Sequence, residues 1–351
     1  MFKLIIKSFL YYFKANLLVA LGVAICTAVL TGALVIGDSV RFSLEQSTLY
    51  RLGKTTHLIS STDRYFRQEL ADNLTERMKN DAHLIPSSPH QHISTSPNQH
   101  ISTSAAPVLL LEGMAVSEGG KDRVNKVQVS GVDNRFEKIA GSSFFSGIGE
   151  NEVIISSNLA ERLNLKKGDP FLLRIKKASL IPLNAPFVSE AETSVSFRAV
   201  VKEVAGREHL GFFNLKNSQT APYNVFLSLS GLNELMKFKG KANNILISAP
   251  ATGNEAIEKD LQQSFTPEDA GLQVKNIPLT GEKEIVSERV FMDESIVKAF
   301  HSLPGSYNVL TYFVNAIQYH DKTTPYSFAT ALENEGLKDD QILLNSWTAN
   351  D

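Results

Sequence analysis

Leu17–Gly37 reads LLVALGVAICTAVLTGALVIG, a run without a single charge. Lys3, Lys7 and Lys14 precede it, and Asp38, the first acidic residue of the chain, follows it directly. About 20 apolar residues rising 1.5 Å each match a hydrocarbon layer roughly 30 Å thick. The spacing predicts a transmembrane helix over 17–37. Lysines on one flank only predict a cytoplasmic N-terminus, with everything from Asp38 onward on the far side. A cleaved signal peptide is the rival reading, and Thr31-Gly32-Ala33 is a passable cleavage site. Its apolar core should be about 7–15 residues long, however, and this run continues to Ile36. Ala20, Ala24, Ala28 and Gly32 lie on one helix face beside Thr27 and Thr31, a spacing that lets another membrane helix approach closely.

Residues 1–16 also carry a pattern. Phe2, Ile5, Ile6, Phe9, Leu10, Tyr12 and Phe13 recur at near-helical spacing, while the three lysines can reach lipid headgroups. An interfacial amphipathic helix over 1–16 is expected.

The 351 residues are 43% hydrophobic and 21% charged, an ordinary globular composition, with a net charge of −2. All acidic residues lie beyond the apolar run, so the far segment is mildly acidic and offers no electrostatic footprint for nucleic acid. Cys26, the only cysteine, sits inside the run, so the far segment has neither a disulfide nor thiol chemistry.

Beyond the run, 39–50 reads as a helical neck and 56–60 as a strand. Phe66, Leu70, Leu74 and Met78 step by four, which predicts an amphipathic helix over 65–80. Residues 86–106 break the periodicity. Pro89–Ser96 (PHQHISTS) is duplicated as Pro97–Ser104 (PNQHISTS), which reads as a disordered repeat insertion. Its His90, His92 and His100 could bind a transition metal, but no carboxylate or cysteine stands nearby to complete a shell, so no metal site is assigned. Strands are expected at 106–114, 126–132, 152–155, 171–175, 194–204, 223–227 and 244–248. Helices are expected at 156–163 (capped by Ser and Asn), 230–237 (capped by Ser230) and 254–265. Gly168-Asp169-Pro170 reads as the structural turn that ends one helix and opens a strand. Strands mixed with short helices indicate an α+β fold. Gln341–Asp351 can be laid over Glu152–Arg162 as a weak internal repeat. The second copy stops where its helix should begin, which reads as a premature C-terminus leaving Leu343 and Leu344 poorly covered.

No phosphate-loop motif, H-E-x-x-H or G-x-S-x-G is present. His57, His209, His301 and His320 have no nucleophile or acid at suggestive spacing and read as structural. Asp339-Asp340 reads as a solvated turn. No catalytic, cofactor-binding or metal residue is assigned, and no enzyme activity is expected.

Several stretches, in order, resemble a known family. Leu30–Arg41 (LTGALVIGDSVR) looks like the end of the first membrane helix of FtsX-like permeases, the membrane subunits of ABC transporters related to MacB and LolC/LolE. Asn151–Ile175 (NEVIISSNLAERLNLKKGDPFLLRI) is similar to the most recognisable part of their periplasmic domain. Phe197–Val204 with Tyr223–Leu229 resembles its next strands. Val290–Asp293, Leu310–Asn315 and Thr324–Phe328 resemble the branch with a long extracytoplasmic domain. The likeness spans nearly the whole chain, with the Pro89–Ser104 repeat as an insertion.

The resemblance implies a MacB-like periplasmic domain built of a βαβ-rich lobe and a β-rich lobe. The expected divisions are a first part over 38–148, the β-rich lobe over 149–250, and a second part, incomplete, over 251–351. It also implies residence in the bacterial inner membrane, an ABC ATPase partner that docks through a further C-terminal part, and a second permease copy. Membrane lipid is the remaining partner. ATP hydrolysis would belong to the separate ATPase subunit, and three more membrane helices with the FtsX core would follow. Two function classes compete. One is a permease fragment working by mechanotransmission, for transport or envelope signalling. The other is a single-pass, membrane-anchored periplasmic binding or scaffold module.

Overall fold

The computed structural model describes residues 2–61, 64–82, 103–141, 143–177, 194–216, 218, 220–249, 252–278, 280–287, 292–332, 337–338 and 341–350. These fall into two units, 1–288 and 289–351. The fold is α+β with one long apolar helix at its N-terminus.

Helix α1 (Phe2–Tyr11) is followed after Tyr12 by α2 (Phe13–Leu52). The two divide at Tyr12, where ψ of 25° breaks the helical run, and not at residue 16. Asn16 bridges the break, its Nδ2 donating to the Phe9 carbonyl at 3.3 Å. Helix α2 absorbs both the apolar run and the neck without interruption. Its 40 residues extend about 60 Å. It is long and apolar enough to cross a membrane, and it buries none of its residues. Thr27 and Thr31 donate to the carbonyls of Val23 and Thr27 at 2.8 and 2.7 Å, so both hydroxyls are satisfied inside their own helix.

The first lobe is a split βαβ unit. Strand β1 (His57–Ser60), helix α3 (Glu69–Ala82) and the start of β3 (Ser104–Ser117) form the unit, and β10 (Asn244–Ser248) is antiparallel to both strands and lies between them. The stepped residues Phe66, Leu70, Leu74 and Met78 are all buried. They share a core with Ala105, Ile245, Ile247 and Ile257 of α7 (Asn254–Ser264). Phe66 itself is not helical. With Arg67 it forms β2 (Phe66–Arg67), which pairs with β9 (Lys241–Ala242), so α3 starts three residues later.

The repeat insertion expected over 86–106 is too long at its C-terminal end. Ser104, Ala105 and Ala106 pair with Ser248, Ile247 and Leu246, and the two alanines are buried. Residues 83–102, with all three repeat histidines, lie outside the described residues.

The second lobe is a closed ring. The later half of β3 pairs with β4 (Arg123–Val132) on one side and with β6 (Pro170–Lys176) on the other. The ring is completed by β8 (Asn224–Ser228), β5 (Glu152–Ser156) and β7 (Ser194–Ala205), in the order β3-β4-β8-β5-β7-β6. Closure removes the exposed edges that an open sheet would present. Alternate residues of all six strands, among them Leu111, Val129, Val225, Val153, Val201 and Leu173, form one buried cluster. Helices α5 (Ser157–Leu163) and α6 (Leu229–Leu235) add Leu159, Leu163 and Leu232 to it.

The expected division at 148/149 therefore falls inside this ring. Strands β3 and β4 come from one side of it and β5–β8 from the other, because non-local pairing ignores chain order. Similarly, α7 returns from 251–351 to the first lobe, carried by Ile257.

Buried polar groups tie the ring together. Asn224 is fully buried; its Nδ2 donates to the carbonyls of Gly211 and Phe213 at 2.8 and 2.9 Å, and its Oδ1 accepts from Gln128 at 2.9 Å. Asn224→Ala leaves those carbonyls with one donor fewer and should cost about 2–3 kcal/mol in urea unfolding. A cost below about 0.5 kcal/mol would show the network to be dispensable.

Two caps differ from expectation. Ser156 does not cap α5 with its side chain; its hydroxyl accepts instead from the Asn224 amide at 2.9 Å. Helix α6 is capped two residues early by Ser228, which accepts from Gly231, and not by Ser230. The last elements of the first unit are hairpin strands β11 (Leu272–Asn276) and β12 (Lys283–Ser287).

The second unit contains α8 (Glu294–His301), a hairpin of β13 (Val309–Tyr319) and β14 (Lys322–Leu332), and α9 (Ser346–Asn350). Gln341–Asn345 forms no strand, unlike its counterpart β5. It has no ladder partner among the described residues, and Leu343 and Leu344 are exposed.

Candidate functional site

A tightly hydrogen-bonded segment lies where α2 meets the first lobe, over Arg51–Thr56. Sequence reading passed over this segment, although Arg51-Leu52-Gly53 carries a helix-stop signature, a basic last turn followed by glycine. Gly53 accepts φ +59° and ψ −131°, a conformation that L side chains rarely adopt. Its amide closes the helix on Leu49 at 2.8 Å. The turn then lets Lys54 donate to the Ile139 carbonyl at 3.0 Å and Thr56 to the Ile247 carbonyl at 2.8 Å. Ile139 belongs to α4 (Asn134–Ala140), and Ile247 to β10. The Thr56 hydroxyl also accepts from Ala249 at 2.8 Å.

Arg51 secures the joint from the other side. Its Nη2 donates to the Lys216 carbonyl at 2.6 Å, and its own carbonyl accepts from Asn214 at 3.3 Å. Bonds to a helix, a strand and a loop therefore converge on six consecutive residues.

Beneath the joint lies an aromatic cluster. Phe136 of α4 is fully buried, with ring centroids 5.0 Å from Phe145, 5.5 Å from Phe213 and 6.1 Å from Phe226. The Phe145 and Phe213 contacts are edge-on and the Phe226 contact is tilted, and aromatic pairs at these separations add to the area buried.

The structural histidines occupy unrelated places. The Nδ1 of His57 lies 2.9 Å from the Thr56 hydroxyl, and the Nε2 of His301 lies 2.8 Å from Asn308. His209 stacks on Phe144 at 4.4 Å, and His320 turns the β13–β14 hairpin with φ +51°. Among the described residues no three His, Cys, Asp or Glu side chains gather as a metal site. Asp339-Asp340 lies outside the described residues.

The Gly168 turn has a different partner from the one expected. Helix α5 already ends at Asn164, which adopts φ +51°. Gly168, at φ +90°, serves the following turn, where its amide donates to Val201 at 2.7 Å. The Asp169 carboxylate accepts from the Lys166 amide at 2.8 Å. A side chain at Gly168 would meet open space, so Gly168→Val should cost about 1 kcal/mol through backbone strain alone. Asp169→Asn keeps an acceptor oxygen and should stay within about 0.5 kcal/mol by urea unfolding. A larger loss for Asn than for Val would overturn this account of the turn.

No protein-family model matches the chain, and no curated protein matches it. Solved structures similar to parts of it include the two that follow. One is the periplasmic region of MacB from Actinobacillus actinomycetemcomitans, at 10% identity and a TM-score of 0.36, over 74% of this chain and 97% of that one. The other is the extracellular domain of the noncanonic ABC-type transporter YknZ from Gram-positive bacteria, at 9% identity and a TM-score of 0.33, over 66% and 98%.

Proposed function

We propose that this chain supplies the first membrane helix and extracytoplasmic domain of an FtsX/MacB/LolC-type ABC permease. It sits in the bacterial inner membrane with its N-terminus in the cytoplasm. Its work is conformational: movement driven by a separate ATPase subunit tilts or shifts α2, and the joint passes that movement to the lobes. A second permease copy and the surrounding lipid are its other partners. The observation that carries the reading is the unbroken α2, which leaves the apolar run and enters the lobe through the bonded segment Arg51–Thr56. The ordered resemblances of Leu30–Arg41, Asn151–Ile175, Phe197–Val204 and Tyr223–Leu229 support the same assignment.

The test uses the complete reading frame and native membranes. Sequencing past the codon for Asp351 should find three further apolar runs. The protein purified from its own membranes should carry an ATP-binding-cassette subunit identifiable by mass spectrometry. A frame without further apolar runs, and a purified protein without that subunit, would contradict the permease reading and favour an anchored binding or scaffold module.

A further inference from the structure

Beside the joint, one face of α2 together with Arg207, Phe212, Asn214, Ser218 and Thr220–Pro222 lines a cavity of about 510 Å³ that opens to solvent. Helix residues Ser43, Ser47, Tyr50 and Arg51 recur three and four apart along a single stripe and form one wall. Arg207 and Phe212 stand on the other. Two arginine residues thus line one cavity, and no carboxylate lines it among the described residues.

Both arginines are held and neither is neutralised. Arg51 is fixed through Nη2 on the Lys216 carbonyl, while its buried Nε donates to nothing. Arg207 lies over the Phe212 ring, 5.3 Å from its centroid, which orients the guanidinium without occupying its donors. Its neighbour Glu208 approaches His209, at 3.9 Å, instead of Arg207. Ser43 and Ser47 form no hydrogen bond among the described residues, although helical serines commonly bond back to their own carbonyls.

We propose that this cavity binds a phosphate group. The Arg207 guanidinium, the remaining amino group of Arg51 and the two serine hydroxyls offer several donors at one cavity, and they suit the oxygens of a tetrahedral anion. The phosphate is carried either by a soluble molecule or by a lipid headgroup. The stripe starts six residues past the apolar run, about 9 Å along the helix, and Arg51 lies about 21 Å along it. The cavity therefore extends from the headgroup layer outward. This site stands independently of the permease reading.

The test uses the full chain in dodecyl maltoside micelles, which contain no phosphate, in a phosphate-free buffer. Inorganic phosphate and short-chain phosphatidylglycerol are titrated in separate arms and followed by 31P line broadening. Saturable binding of inorganic phosphate identifies a soluble source. Saturation by the lipid alone identifies a headgroup source. In either arm Arg207→Gln should weaken binding at least tenfold with an unchanged melting midpoint, since the Arg207 side chain supports no other element. Arg51→Lys keeps the charge and loses the fork, and it should weaken binding as well. Absence of saturation with both probes would overturn the proposal, as would wild-type affinity in both variants.

Discussion

Gly53→Val should destabilise the protein by about 3 kcal/mol or more. Two independent penalties combine. A β-carbon there would stand 2.7 Å from the Ile139 carbonyl oxygen and 3.1 Å from a Leu210 methyl, and the oxygen belongs to backbone that cannot swing away. The φ of +59° paired with ψ of −131° is also a region where only glycine is at ease. Relaxing either strain pulls Lys54 off Ile139, so the substitution loosens the joint along with the turn. Urea unfolding of the full chain in maltoside gives the energy. Amide hydrogen exchange at Lys54 and Thr56 reports the joint, and protection there should fall. A loss below about 0.5 kcal/mol with both amides still protected would show that the helix and lobe are not fixed through this turn.

Phe136→Ala should cost about 3–5 kcal/mol, the range for deleting a fully buried aromatic ring. Three phenylalanines would face the resulting cavity, and α4 would lose its main anchor beneath Ile139. Phe136→Leu preserves most of the volume and should cost much less. Equal losses for Leu and Ala would mean that edge-on ring geometry, not volume, holds the cluster.

Local structure was legible wherever one face of an element is buried. Phe66, Leu70, Leu74 and Met78 declared the buried side of α3, and Asn244–Ser248 was read at its observed bounds. The apolar run of β5 and the alternating runs of β6 and β7 likewise stood out. Sheet order did not, because the partners of β3 are set by side-chain complementarity far along the chain. Ser104–Ala106 looks like the tail of a polar repeat, and only pairing with β10 makes it a strand. Caps were misplaced by a few residues for the same reason. Ser156 reads as an N-cap locally, yet its hydroxyl is taken by the Asn224 amide across the ring. The helix end assigned to Gly168 belongs to Asn164, which tolerates positive φ better than most residues with a side chain. The joint was the main omission. Gly53 reads as a helix stop, but its importance depends on the Ile139 carbonyl, which is distant in sequence. The arginine-lined cavity was hidden likewise, since Arg51 and Arg207 lie 156 positions apart and meet only through the fold.

The central claim, that α2 crosses the membrane and delivers the lobes to the far side, is tested most directly with the chain's single cysteine. Cys26 lies in the middle of the apolar run. In right-side-out and in inverted vesicles it should resist a membrane-impermeant maleimide, and it should react only after the membrane is solubilised and denatured. On a Cys26→Ala background, Lys121→Cys in the exposed β3–β4 turn should label in right-side-out vesicles alone. Lys7→Cys should label in inverted vesicles alone. Labelling of Cys26 from water in intact vesicles, or of Lys121→Cys only from the cytoplasmic side, would contradict the account.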